Sequence, residues 1–269
     1  MSIEALVFDV DGTLADTEEL HRRAFNLAFE QHGLDWRWER SEYRALLAVT
    51  GGKERLGAYI DALELGTFER KRLHERVPQL HAAKTRHYTE IARRGDIELR
   101  PGVARLLDEA QRAGLRLAIA STTTAVNIDA LLQATMGARG LSLFDVIACG
   151  DQVRAKKPAP DIYRLALDTM GVPPERAIAV EDSPNGLRSA LGAGLWTLVT
   201  PTFWTEGGDF SGAGLVLPSL GDHDSPLAGE PGERLQSHPW LSVEELTRRA
   251  TAVAPPNAVQ ALYQGQRDA

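Results

Sequence analysis

Ile3 to Val7 is apolar apart from Glu4 and runs through Phe8 straight into Asp9-Val10-Asp11-Gly12-Thr13-Leu14. A short apolar run ending in a glycine turn reads as a buried β-strand. Gly12 lets the backbone leave the strand axis at once. In open α/β sheets, ligands collect in the crevice outside the carboxyl ends of the strands. Asp9 and Asp11 therefore stand where a ligand would sit, with no basic residue inside the motif. Neighbouring like charges raise each other's pKa unless a cation intervenes, so the pair asks for a hard metal ion, a proton, or both. An Asp-Gly turn alone is common, but a structural turn has no need of Asp9 as well as Asp11.

The rest of the chain alternates in the way such a sheet requires. Helix and strand patterns repeat from Gly102: helix Val103–Ala113, strand Leu115–Ala120, helix Val126–Met136, strand Leu143–Cys149, helix Asp161–Met170, strand Ala177–Val180, helix Gly186–Leu191 and strand Leu195–Thr200. Leu215–Leu217 adds an edge strand. Repeated βα units predict a parallel, doubly wound, Rossmann-like sheet. Between Asp16 and Gly95 the strand patterns vanish. Leu20, Ala24, Leu27 and Ala28 recur at helical spacing, followed by helices over Glu39–Ala48, Lys53–Leu65 and Phe68–Arg94, the last open to a break at Pro78. The expected organisation is core at 1–15, an inserted helical unit at 16–95, core at 96–220, and a loop with a terminal helix and tail at 221–269. Residues 221–238 read as a mobile loop. Ser242 and Glu245 have the spacing of a capping box for a helix over Trp240–Arg249, and the last dozen residues read as a loose tail.

Composition narrows the function. Thirty basic against 37 acidic residues give a net charge of −7, which argues against a nucleic-acid surface. The single cysteine, Cys149, excludes an internal disulfide and a thiolate metal cluster; it falls in an apolar run, as a buried inert thiol would. No apolar run of about 18 residues appears, and the first strand leaves no room for a secretory segment ahead of it. A soluble, cytoplasmic protein with no membrane partner is expected.

Three further strand ends carry candidate chemistry. Ser121-Thr122-Thr123-Thr124 follows the Leu115–Ala120 strand and opens a helix, so its hydroxyls and free N–H groups suit either a helix cap or a phosphate cradle. Ala155-Lys156-Lys157-Pro158 places a lysine pair before the Asp161 helix. Such a pair is often solvated, yet a lysine there can also pin a phosphoryl group. Glu181-Asp182 closes an apolar strand, where two acids are costly unless paired or metal-bound. Mg²⁺ takes one or two carboxylates plus waters and phosphate oxygens. Asp9, a backbone carbonyl at Asp11, and Asp182 suit that count, with Glu181 acting through water.

The motif Asp9-Val10-Asp11-Gly12-Thr13-Leu14 resembles the signature of the haloacid dehalogenase superfamily, and Lys157-Pro158-Ala159-Pro160-Asp161-Ile162-Tyr163 resembles its third motif. Thr17 to Asn26, Tyr43-Arg44 and Thr50-Gly51-Gly52-Lys53-Glu54-Arg55 resemble the cap of the β-phosphoglucomutase-like branch, and within it the CbbY-type sugar-bisphosphate phosphatases. The resemblance implies that the helical insert is a cap and selects Lys157 over Lys156. It implies Asp9 as nucleophile, Asp11 as general acid and base, and Ser121, Thr122 and Lys157 around the phosphoryl group. It also implies Glu18, His21, Tyr43, Gly51, Gly52, Lys53, Arg55 and Thr123 around the substrate, with Glu18 and His21 touching its hydroxyls or Asp11, and Asp9, Asp11, Glu181 and Asp182 around Mg²⁺. Glu18 and His21 share a helix face, although His21 alone could be an ordinary surface residue. Thr50-Gly51-Gly52 with Lys53 and Arg55 can hold a second phosphate or form a plain inter-helix turn.

The expected activity is Mg²⁺-dependent hydrolysis of a sugar phosphate by a monomer, with a ketose bisphosphate such as xylulose 1,5-bisphosphate implied by the resemblance. A sugar phosphomutase of the same fold is the near alternative. A non-catalytic sugar-phosphate-binding module is the distant one, and the intact Asp9, Asp11, Lys157 and Asp182 set speaks against it.

Overall fold

The central strand, β1 (Ala5–Phe8), lies between β2 (Arg116–Ala120) and β4 (Ala177–Glu181). With β3 (Val146–Ala148), β5 (Trp196–Val199) and β6 (Leu215–Val216), they form one parallel sheet in the order β3-β2-β1-β4-β5-β6. These elements come from a computed structural model that describes residues 2–95, 97–233 and 235–252. The chain winds outward from β1 through β2 to β3, then crosses over to β4. Adjacent β1 and β4 thus make the switch point where a crevice opens. Phe8 pairs in register with both Ile119 and Val180. Asp9, Ala120 and Glu181 consequently end level, and the acidic and hydroxyl motifs meet along one edge.

Alternation along the strands divides the core. Leu6, Phe8, Leu117, Ile119, Ile178 and Val180 point to one face, where α5 (Val103–Arg112) and α6 (Ala125–Met136) contribute to the same core. The other face is mostly alanine: Ala5, Ala118, Ala120, Ala177 and Ala179, with Val7. Small residues there leave room for α8 (Asp161–Met170), whose Ile162, Tyr163, Ala166 and Met170 join that cluster. This close approach brings the Tyr163 phenol to the sheet's carboxyl edge.

The insert consists of α1 (Glu18–Gln31), α2 (Arg40–Leu46), α3 (Gly52–Ala62) and α4 (Thr67–Arg93), with its own core of Phe25, Phe29, Trp38, Tyr43, Leu56, Ile60, Leu73, Val77 and Leu80. It is a helical cap on an α/β core. Its two linkers run side by side, joined by an antiparallel bridge between Ala15 and Leu99 and by the Arg100 N–H donating to the Leu14 carbonyl. The Arg100 guanidinium donates to the carbonyls of Gly12, Thr200, Pro201 and Pro218, so the exit linker is pinned to three core segments.

Several expectations are corrected. Pro78 does not divide α4, which runs unbroken for 27 residues. Leu73, Val77 and Leu80 stay packed in the cap core, and tertiary packing outweighs the one lost backbone bond. The strand expected from Leu143 begins at Val146, because Ala138–Leu143 forms a short helix, α7. The 221–238 stretch is not merely a loop. It contains a helical turn, α10 (Glu230–Glu233), and buries Leu227 and Leu235 in the main core. The terminal helix, α11 (Val243–Ala252), starts three residues later than expected. The Ser242 hydroxyl accepts from the Glu245 N–H at 3.2 Å, but the Glu245 carboxylate turns to Arg248 and Arg249, so only half of the box forms. Cys149 is buried, as expected. The expected loose tail lies outside the described residues. Among the described residues, no helix is long and apolar enough to cross a membrane.

Phe29 is fully buried in the cap core, whereas Phe68 on α4 is 82% exposed. Phe29→Ala is expected to destabilise the protein by about 3–5 kcal/mol and Phe68→Ala by less than about 0.5 kcal/mol, read from urea unfolding midpoints.

Candidate active site

At the end of β1, the Asp9 N–H donates to the Val180 carbonyl, and its carboxylate accepts from Lys157 Nζ at 2.7 Å. Lys157 also donates to Glu181 Oε1 at 2.6 Å. That same oxygen accepts from the Tyr163 hydroxyl at 2.6 Å, while Glu181 Oε2 accepts from the Asp182 N–H. Glu181 is fully buried. A side chain at Gly186 would place its Cβ 1.9 Å from the Glu181 carboxylate, so the first turn of α9 (Pro184–Gly192) can pass over it only as glycine. Both Glu181 oxygens thus have protein partners, and the residue stands behind the cleft, holding Lys157.

Oxygens of Asp9, Glu181 and Asp182 all lie within 4.8 Å of one another, and all three residues are buried. Three carboxylates face one ammonium. Burial pushes Asp9 up to about 8; Lys157 opposes the shift, and Glu181 and Asp11 add to it. Burial likewise drives Asp182 far above the usual carboxylate range, with Asp9 and Glu181 reinforcing the effect. Burial works against the charge on Lys157, yet Asp9 and Glu181 overcome it and raise Lys157 above the ordinary lysine range. A divalent cation beside Asp9 and Asp182 would balance the excess charge, and the all-oxygen donor set suits Mg²⁺. Gly12 closes the space: its φ is +85°, and a Cβ there would fall 2.4 Å from Asp182 Oδ2.

Asp11 has the opposite environment. Its Oδ1 accepts from the Thr17 hydroxyl at 2.6 Å and bonds His21 Nε2 at 2.8 Å. His21 lies flat on Tyr88, with ring centroids 4.2 Å apart, and its Nδ1 meets Lys84 Nζ at 2.6 Å. With the Lys84 ammonium donating to Nδ1, His21 presents its N–H to Asp11. Burial opposes ionisation of Asp11, but His21, Thr17 and Lys84 prevail and hold its carboxyl well below the usual range. Of two aspartates two residues apart, one is set to hold a proton and the other to give it up.

A cleft of about 530 Å³ lies over this edge, lined from both domains. Asp9, Asp11, Ser121, Thr122, Thr123, Lys157 and Asp182 come from the core; Glu18, His21, Gly51, Gly52, Lys53 and Arg55 come from the cap. Thr124, at the N-terminus of α6, makes no side-chain cap, and its buried hydroxyl has no partner, which leaves the start of that helix open to an anion. A side chain at Gly52 would strike the His81 ring, with its Cβ 2.7 Å away.

The expectation for Tyr43 is corrected. It is fully buried and does not line the cleft. Its hydroxyl donates to Glu18 Oε2 at 2.7 Å and accepts from Arg55 at 3.0 Å, so it supports two residues that do line the cleft. Arg55 is itself buried, with Nε directed to the Leu46 and Val49 carbonyls. Lys53 is half-exposed and reaches Asp151 of the core at 3.2 Å. Lys156 turns to the Gly150 and Val153 carbonyls. Sequence reasoning missed Thr17, Lys84 and Tyr163. Tyr163 closes the lysine motif and was open to notice; Lys84, 63 residues from His21, carried no local signal.

These features define a class. The haloacid dehalogenase-like hydrolase model matches residues 3–194. A CbbY protein of Cereibacter sphaeroides is 51% identical over 224 residues, covering 82% of this chain and 94% of that protein. A phosphorylated carbohydrates phosphatase of Thermotoga maritima is 32% identical, covering 72% and 82%. The crystal structure of an aspartate-to-asparagine variant of CbbY from Rhodobacter sphaeroides, in complex with xylulose-(1,5)bisphosphate, matches with a TM-score of 0.75 at 51% identity, covering 81% and 94%. The chain belongs to the haloacid dehalogenase-like hydrolases and is a phosphatase. Within that family it is of the CbbY type.

Lys84 is fully buried, and burial lowers it from its ordinary 10.5 to about 8, with Asp11 opposing the shift. As pH rises, the folded state gives up this proton before the unfolded state does. The Lys84 contribution to stability is therefore at its lowest below about pH 8 and rises between about 8 and 10.5. The stability of the wild type relative to Lys84→Met is expected to climb across that window in urea melts at successive pH values. A flat difference would show that burial does not perturb the ammonium.

Proposed function

We propose that this phosphatase hydrolyses a sugar phosphate, a ketose bisphosphate such as xylulose 1,5-bisphosphate, with Mg²⁺ as cofactor and through an aspartyl-phosphate on Asp9. The reading rests above all on the buried cluster at the ends of β1 and β4, where Lys157 is held between Asp9 and Glu181 and the oxygens of Asp9, Glu181 and Asp182 converge beneath the cleft. The sugar bisphosphate bound to the similar Rhodobacter protein supports the substrate class.

Asp9 and Asp182, with the Asp11 backbone carbonyl, would hold Mg²⁺, while Glu181, with both oxygens already engaged, would support the set from behind through Lys157. When bound, the ion supplies positive charge to the phosphoryl oxygens and keeps Asp9 ionised. Substrate enters beneath the cap, and closure excludes water. The Asp9 carboxylate attacks phosphorus in line as the bond to the sugar oxygen breaks. Protonated Asp11 gives its proton to the leaving alkoxide; its Oδ1 is taken by Thr17 and His21, which leaves Oδ2 for this exchange. Asp11, now in the ionised form that its neighbours favour, draws a proton from the water that attacks the aspartyl-phosphate. Lys157, Ser121, Thr122 and the N-terminus of α6 balance the charge on the transferring oxygens. The depressed proton affinity of Asp11 makes the base step the easier of its two tasks, so esters with poor leaving groups depend on it most.

Purified protein tested against a panel of phosphosugars with Mg²⁺ is expected to release inorganic phosphate fastest from a ketose bisphosphate. Isomerisation without phosphate release would identify a mutase. Asp9→Asn is expected to abolish turnover while retaining the melting temperature, because the amide is nearly isosteric but cannot form the phospho-enzyme. Full activity in that variant would sink the nucleophile assignment.

Lys53 is a half-exposed cap cation that can move from Asp151 to a distal phosphate, whereas Arg55 is committed to the cap's own carbonyls and to Tyr43. Losing a charge-assisted hydrogen bond costs about 1.5–3 kcal/mol, roughly ten- to more than a hundredfold in kcat/KM. Lys53→Ala is expected to lower kcat/KM for the bisphosphate at least about tenfold more than for a small aryl monophosphate. Equal losses on both would mean that Lys53 serves closure through Asp151.

A further inference from the structure

The segment after β5, Pro201 to Gly208, belongs to the core by sequence but enters the cap. Trp204 is only 5% exposed and packs in the cluster of Phe25, Trp38 and Tyr43. Every other buried member of that cluster comes from the helical insert. The Trp204 ring meets Tyr43 edge-on at 90°, with centroids 5.6 Å apart. On either side, Arg44 of the cap donates to the Glu206 carbonyl at 2.6 Å and lies over the Phe203 ring at 5.4 Å. The segment is self-braced: Thr202 Oγ1 accepts from the Trp204 N–H, Thr205 Oγ1 accepts from the Thr202 N–H, and the Glu206 N–H donates to the Thr202 carbonyl. It therefore projects as a fixed knob.

Two chains of contact lead from this knob to the cleft. Tyr43, against the indole, donates to Glu18. Thr205, next in sequence, donates to Asp182 Oδ2 at 3.3 Å. If the cap swings about its linkers at Ala15 and Leu99, the ring cannot stay with the cap while its backbone stays with the sheet. Opening must withdraw the indole from the cluster and break the Arg44–Glu206 contact.

We propose that Trp204 is a positioning residue of the core that holds the cap closed by seating in the cap's aromatic cluster, and so sets how Glu18 and Asp182 face each other across the cleft. Burial of a large aromatic side chain is strong enough to shift the open-to-closed ratio roughly ten- to hundredfold. Without the indole, substrate binding must supply the closure, so apparent affinity falls while the closed complex still turns over.

Small-angle X-ray scattering of the ligand-free full chain tests this directly. Trp204→Ala is expected to show a larger radius of gyration than the wild type, and Trp204→Phe to restore most of the compactness. Kinetically, Trp204→Ala is expected to raise KM about tenfold or more with kcat changed less than about threefold, and Trp204→Phe to recover KM. Should the alanine variant not fold, Trp204→Leu carries the same test, because leucine fills part of the slot but cannot make the edge contact with Tyr43. Unchanged scattering in the alanine or leucine variant would overturn the proposal, whatever the kinetics. Only the kinetic arm rests on the phosphosugar reading. Expanded scattering in a protein that releases phosphate from no phosphosugar would sink that reading and leave the closure role standing.

Discussion

The contact on which the site depends is Lys157 Nζ held between Asp9 and Glu181 at 2.7 and 2.6 Å, in a pocket where all three are buried. Taking charges out of water is expensive, and a buried pair is tolerated only when its remaining oxygens and protons are satisfied. Tyr163 and the Asp182 N–H satisfy Glu181. Asp9 is left with one strong partner and a raised proton affinity. The imbalance suits the role proposed for Asp9, since a carboxylate fully paired with lysine would be a poor nucleophile and one without lysine would remain protonated. The charge left over suits a transient cation and a phosphoryl group.

The cap answers this floor with a second arrangement of opposite bias. Thr17 just before α1 and His21 on α1 converge on Asp11, with Lys84 of α4 behind His21, so cap residues lower the proton affinity of the second aspartate. The core sets that of the first, by burying it, with Lys157 opposing the rise and Glu181 adding to it. The two domains meet where α4 packs on α6 and sends Tyr88, Ile91 and Ala92 into the main core, and further through the Ala15–Leu99 bridge, Asn185 donating to the Ala48 carbonyl and Thr50 hydroxyl, Lys53 with Asp151, and the Trp204 segment.

Most of the core site was legible because its residues sit at strand ends, where apolar runs stop abruptly at polar groups. Phe8 to Asp9, Ala120 to Ser121 and Val180 to Glu181 each mark such a boundary; the register aligns the first and third and sets the second one residue further along. The cap was less legible. Helical periodicity shows which face is buried but not which helices meet, so Lys84 could not be joined to His21. Resemblance placed Tyr43 beside the substrate, whereas burial puts it one layer back. Pro78 misled because local propensity carries no information about what packs against a helix. Trp204 gave no sign of its role, since a tryptophan in a core segment is by default expected in the core.

The C-terminal third of the sheet has a consequence for where this protein can be divided. The family match stops at residue 194, yet β5 and β6 lie beyond it. The segment that follows returns across the fold: Arg105 on α5 donates to the Gly221 and Leu241 carbonyls, and Leu227, Leu235 and Leu246 complete the main core. A fragment trimmed to the matched region would strip β4 of its neighbour and expose the backbone edge that carries Glu181. Unpaired parallel edges recruit other chains. A piece meant to fold as one unit therefore has to run beyond the matched region, at least through α11.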